Sequence, residues 1–144
     1  MLELMRDLKT KLNMAIILIT HDLGIVADTC STVNVMYGGC IVEKGGVRDI
    51  YYHSRHPYTW GLISSVPNPN TLIKERLKPT EGQPPDLLRP PKGCPFAPRC
   101  DYAMEVCMEK MPPEFKISDT HTSSCWLNHP DAPRIESPFE RGGI

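Results

Sequence analysis

Met1, Leu2, Leu4, Met5, Leu8 and Leu12 recur at three- and four-residue steps among charged residues, which predicts an amphipathic helix. Nothing before Leu2 reads as an N-cap, so upstream sequence is expected, with Met1 an internal start or an imposed boundary. Residues 15–20, Ala-Ile-Ile-Leu-Ile-Thr, are apolar on both faces and β-branched, the pattern of a buried parallel strand. Asp22 is placed to cap a short helix over residues 23–28. Residues 33–37 and 40–44 then read as two strands of a hairpin turned at Gly38-Gly39. Residues 47–53 form one further helix, and a second opens behind Pro57 and runs to Val66. After Val66 the periodicity ends.

Composition sharpens that boundary. All 15 prolines fall at Pro57 or later, so residues 67–93 read as a proline-rich traverse. The expected organisation is an α/β region over residues 1–66, a linker over 67–93, a cysteine-rich extension over 94–130 and a tail over 131–144. Sixteen Lys and Arg against 17 Asp and Glu leave a net charge of −1, with no global field to attract nucleic acid or acidic lipid. The longest aliphatic run, residues 14–19, is far short of the roughly 18–20 residues that cross a bilayer. No secretory signal is evident, so the six cysteines are expected in a reducing compartment, where clustered thiols bind metal or do chemistry more often than they form disulfides.

Two places can carry chemistry. In Ile19-Thr20-His21-Asp22-Leu23-Gly24 a histidine follows the carboxyl end of the expected buried strand, the edge at which open α/β sheets bind ligands. An imidazole there can meet a terminal phosphate or orient a water, and it can equally make a loop hydrogen bond. The second place is Cys94, Cys100, Cys107 and Cys125, with five, six and 17 residues between successive cysteines. Four thiolates suit a tetrahedral zinc or an iron–sulfur cluster, and the spacing alone favours zinc slightly. Disulfides or free thiols are the remaining options. His121 is the spare ligand if one cysteine does not coordinate. Cys30 and Cys40 read as small buried hydrophobes, Trp126 as a shield for the thiols, and His56 as structural.

Residues 15–24, followed by Val35-Met36-Tyr37-Gly38-Gly39-Cys40-Ile41-Val42-Glu43-Lys44-Gly45, resemble the switch-histidine segment and hairpin of ABC-transporter ATPases. His56-Pro57-Tyr58-Thr59-Trp60-Gly61-Leu62-Ile63, Gly82-Gln83-Pro84-Pro85 and Gly93-Cys94-Pro95-Phe96-Ala97-Pro98-Arg99-Cys100 are similar to the C-terminal extension of the oligopeptide and dipeptide importer branch. The resemblance implies the distal part of a P-loop NTPase sheet with a small, mostly irregular cysteine-rich extension. It makes His21 the catalytic switch histidine at the γ-phosphate of ATP with Mg. It tips the four cysteines towards a 4Fe–4S cluster, with zinc as the alternative.

The implied partners are transmembrane permease subunits, a second ATPase subunit and, indirectly, a peptide-binding protein, at the cytoplasmic face of a bacterial plasma membrane. No phosphate-cradling G-x-x-x-x-G-K-S/T sequence occurs, so the chain alone is expected neither to bind nor to hydrolyse ATP. The rival expectation is a stand-alone metal-binding interaction module.

Overall fold

A computed structural model describes residues 2–66, 85, 86 and 88–138. The linker expected over residues 67–93 therefore lies largely outside the described residues, as do Gly82, Gln83 and Pro84. Helix α1 (Leu2–Leu12) forms where the three- and four-residue spacing placed it. Leu4, Leu8 and Leu12 on its apolar stripe are nevertheless exposed.

The expected strand over residues 15–20 does not form. Ile17 is 92 % exposed and Ile19 95 %, and the segment is extended without ladder pairing. A two-sided apolar strand is stable only when strands flank it and helices cover it. Among the described residues no strand lies beside it. Asp22 does cap helix α2 (Leu23–Thr29), accepting the Ile25 amide at 3.1 Å.

Strands β1 (Thr32–Tyr37) and β2 (Cys40–Gly46) form the expected antiparallel hairpin. Its two turn residues, Gly38 and Gly39, both have positive φ, +56° and +80°. A two-residue turn of that hand follows the strand twist and favours glycine at both positions. The register slips between Val35 and Met36, leaving Val42 as an extra residue on β2. This bulge turns two successive side chains inward, Val42 into the apolar core and Glu43 into a polar buried site.

Helix α3 (Val47–His53) follows directly, and its fully buried Ile50 packs on the hairpin. Helix α4 (Pro57–Ser64) starts with its proline in the first turn. The cysteine-rich segment then adds short elements: a 3₁₀ turn (Ala97–Arg99), helix α5 (Glu105–Glu109), strands β3 (Phe115–Lys116) and β4 (Thr122–Ser123), and a second 3₁₀ turn (Trp126–Asn128).

The sheet order is β1-β2-β4-β3, antiparallel throughout. Hairpin and cysteine-rich segment thus share one sheet and one core. Val35, Tyr37, Val42 and Ile50 pack in the same cluster as Phe96, Ala97, Cys94 and Cys107. No described helix is long and apolar enough to cross a membrane.

Candidate functional site

The four cysteines of the extension, spread over 32 positions of sequence, line a single pocket. Each is delivered by a different local device. The Cys94 amide donates to the Cys107 carbonyl at 2.8 Å, tying the first thiol loop to α5. Gly93 makes that approach possible, since a Cβ there would lie 2.2 Å from the same carbonyl oxygen. The 3₁₀ turn then carries the chain to Cys100, and the second one opens immediately after Cys125. Trp126 closes the arrangement by donating its Nε1–H to the Lys110 carbonyl at 3.0 Å beyond the end of α5.

Main-chain N–H groups favour the ionised form of three of these thiols, and the fourth sulfur accepts one directly. The amides of Phe96 and Ala97 act to lower the pKa of Cys94, that of Tyr102 the pKa of Cys100, and that of Leu127 the pKa of Cys125. Cys107 accepts the Met104 amide at 3.5 Å. Amide donors aimed at sulfur stabilise negative charge on it, as a metal-binding thiolate requires. Burial works the other way. It raises Cys94, takes Cys100 to about 11 and Cys125 to about 12, and the neighbouring cysteines add to the rise. As bare thiols these groups hold their protons. A cationic centre would supply the missing positive charge and displace them.

Among the described residues, no three His, Cys, Asp or Glu side chains stand close enough to close on one metal ion. A single zinc at about 2.3 Å from each sulfur would need the four thiols almost in contact. The four thiols nevertheless line a common pocket. All six cysteines are free, so no disulfide organises the segment.

His121, expected as a spare ligand, is engaged elsewhere. Its Nε2 meets Glu43 Oε1 at 2.9 Å, with both residues no more than 2 % exposed. The same oxygen accepts the Arg55 amide. This buried pair joins the bulge of β2 to the chain entering β4, and neither residue lines the thiol pocket. Nothing in a single sequence links positions 78 residues apart, so the pair was not foreseen.

Cys40, read as a small buried hydrophobe, lies near enough to Cys94 to add to the rise of that thiol's pKa. The link is the hairpin turn. A Cβ at Gly38 would lie 2.9 Å from Pro95 Cβ. Neither Cys40 nor Cys30 is fully buried.

His56 caps α4 by accepting the Tyr58 amide at Nδ1, 3.1 Å away. Burial lowers its pKa to about 4, so the ring is neutral at ordinary pH. It also lines the thiol pocket, with Phe96 at 5.9 Å between ring centroids. Trp126 lines the same pocket, and Trp60 donates to the Ser54 carbonyl at 2.9 Å.

His21 stands apart from this core. It is exposed, held between two local hydrogen bonds: the Asp22 amide on Thr20 Oγ1 at 3.0 Å, and the Ile25 amide on Asp22. The Tyr51 hydroxyl donates to the Leu23 carbonyl, which fastens α2 and the start of this loop to α3.

The family profile described as oligopeptide/dipeptide transporter, C-terminal region, matches residues 42–107. That span includes Glu43, His56, Cys94, Cys100 and Cys107, and excludes His21 and Cys125. Similarity to curated proteins runs further. The chain is 54 % identical over 137 residues to the oligopeptide transport ATP-binding protein OppD of Bacillus subtilis, covering 95 % of this chain and 38 % of that protein. It is 46 % identical over 134 residues to the dipeptide transport ATP-binding protein DppD of Lactococcus lactis, covering 93 % and 38 %. With the oligopeptide transport ATP-binding protein AmiE of Streptococcus pneumoniae it shares 44 % over 139 residues, covering 95 % and 38 %. The chain thus spans about two fifths of the length of these relatives.

Proposed function

We infer the role of this chain from one premise: it corresponds in sequence to the C-terminal part of the ATP-binding subunits of oligopeptide and dipeptide ABC importers. On that premise we propose that it is the distal portion of the ATP-hydrolysing subunit that powers peptide uptake. The observation carrying this reading is similarity over nearly the whole chain to oligopeptide and dipeptide transport ATP-binding proteins.

Within the proposal, His21 senses the γ-phosphate of ATP with Mg and orients the attacking water. Its exposure on a loop fixed by Thr20 and Asp22 suits a residue that meets a ligand supplied from outside the described core. The permease subunits, a second ATPase subunit and, at one remove, a peptide-binding protein are the proposed partners, at the cytoplasmic face of the membrane. Which peptides are moved is set by those other subunits.

We propose further that Cys94, Cys100, Cys107 and Cys125 hold one iron–sulfur centre of the 4Fe–4S type. The shared pocket and the main-chain N–H groups acting on the four thiols support it. Such a centre would supply electron storage or a structural crosslink. The protein's own part is to deliver four thiols from four turns and to cover them with Phe96 and Trp126.

One specific observation favours the rival reading, a self-contained metal-binding module: the hairpin and the thiol segment share a core that excludes α1. The two separate in a longer protein that carries the phosphate-binding loop. There His21→Ala is expected to keep ATP binding and to lower turnover about 10²-fold, as a group acting chiefly in the transition state does. Normal hydrolysis by a folded His21→Ala variant would remove His21 from the mechanism. Calorimetry of the present chain with ATP should show no heat of binding, and micromolar affinity would contradict the account.

A further inference from the structure

The thiol pocket has one polar wall that the four sulfurs leave unexplained. His56 is 1 % exposed and lines that pocket. Its Nδ1 accepts the Tyr58 amide at 3.1 Å, so that nitrogen carries no proton and the neutral ring holds its proton at Nε2. Nε2 is buried and has no hydrogen-bond partner among the described residues. A buried donor left without a partner is costly, so a ring fixed in this orientation implies an acceptor for it. Pro57, Phe96 and Ala97, which also line the pocket, offer no side-chain acceptor. Tyr102 lines it too, yet neither its hydroxyl nor any cysteine sulfur accepts from Nε2; a sulfur of a bound group would supply the acceptor.

We propose that His56 is a positioning residue for the metal centre, its Nε2–H donating a hydrogen bond to a sulfur of the group held by Cys94, Cys100, Cys107 and Cys125. This rests on the four-thiol iron–sulfur reading above. Two features of the fold keep the ring in place. The α4 cap commits Nδ1, and Phe96, itself buried in the shared core, packs against the ring. The main-chain donors already described are fixed by the turns that deliver each cysteine. Among the described pocket-lining residues, His56 carries the buried side-chain nitrogen left without a partner. A hydrogen bond to cluster sulfur stabilises the more negatively charged, reduced form and so raises the reduction potential.

The experiment uses the whole chain prepared without oxygen, with iron and acid-labile sulfide measured and the potential read by redox titration. His56→Phe is expected to keep its iron and sulfide but to become harder to reduce. The reduction equilibrium should move about tenfold, which is about 59 mV for a one-electron couple. His56→Gln, which retains an N–H donor, should recover part of that shift. An unmoved potential in a fully loaded His56→Phe chain overturns the proposal.

A second readout needs no substitution. In the wild-type chain labelled with ¹⁵N-histidine, pulsed EPR of the reduced centre should show a weak coupling to one imidazole nitrogen. Its absence overturns the proposal even if His56→Phe fails to hold metal. A wild-type chain with no iron overturns the four-thiol reading and this proposal with it, whereas full iron with an unmoved potential overturns this proposal alone.

Discussion

Residues 2–22 and the described residues from 31 to 138 treat the same kind of side chain in opposite ways. In the first stretch Leu4, Leu8, Leu12, Ile17 and Ile19 are exposed, although their spacing is that of an α/β layer. In the second, Val35, Val42, Ile50 and Phe96 are buried in one cluster, although the segment supplying Phe96 has little regular structure. Apolar content therefore does not decide burial here. What differs is whether main-chain groups find partners nearby. The hairpin pairs with itself through a two-glycine turn, and β4 then adds to its free edge. Residues 15–20 need strands on both sides, and no described strand lies beside them.

The largest expected effect comes from taking metal away. A proline-rich segment of this size supplies by apolar burial only about 3–5 kcal/mol, so loss of the centre should leave the thiol segment folded but much less stable, with α1 as it was. Denaturation followed by circular dichroism before and after chelation reads the change. The stripped chain should also be sensitive to alkali. Its folded Cys94, Cys100 and Cys125 keep their protons, Cys100 to about 11 and Cys125 to about 12, whereas unfolded thiols ionise near their ordinary 9. Above about pH 9 the unfolded state binds fewer protons, so stability falls as pH rises towards 12 and is level with respect to these thiols below 9. A stripped chain whose denaturation midpoint held steady from pH 8 to 11 would contradict this burial of the thiols.

A smaller effect is expected at the polar joint between hairpin and extension. His121→Ala breaks a buried acid–imidazole pair and leaves Glu43 without that partner, at about 3–5 kcal/mol. Chemical denaturation would measure it, and a loss under 1 kcal/mol would mean that β2 and β4 are not held together through this pair.

The smallest effect belongs to the other region. Ile17→Ser and Ile19→Ser should each change the stability of this chain by no more than about 0.5 kcal/mol, since neither side chain is buried. In a longer protein that supplies flanking strands, truncating the same side chains should cost about 2–4 kcal/mol. A large loss in the present chain would erase the contrast between the two regions.

Local physics was legible in the sequence. The Asp22 cap, the Gly38-Gly39 turn, the two hairpin strands and the helices after Gly46 and His56 each depend on residues a few positions apart. Long-range pairing was not. The run of apolar, β-branched residues over 15–20 was read as a buried strand, which does not form here because its neighbours had to be assumed. Spacing alone left zinc and iron–sulfur open at the cysteines, because convergence depends on Gly93 and on the Cys94–Cys107 main-chain bond. The Glu43–His121 pair and the second role of His56 needed the sheet and the pocket to exist first.

The account turns on four thiols forming one centre. Metal analysis of the chain purified without oxygen, beside Cys→Ser variants at positions 94, 100, 107 and 125, tests it most directly. The prediction is a brown protein with iron and acid-labile sulfide in equal amounts, and loss of both in every single variant. A colourless chain holding one equivalent of zinc would keep the ligand set and reject the iron–sulfur centre; full metal retained in all four variants would contradict the site itself.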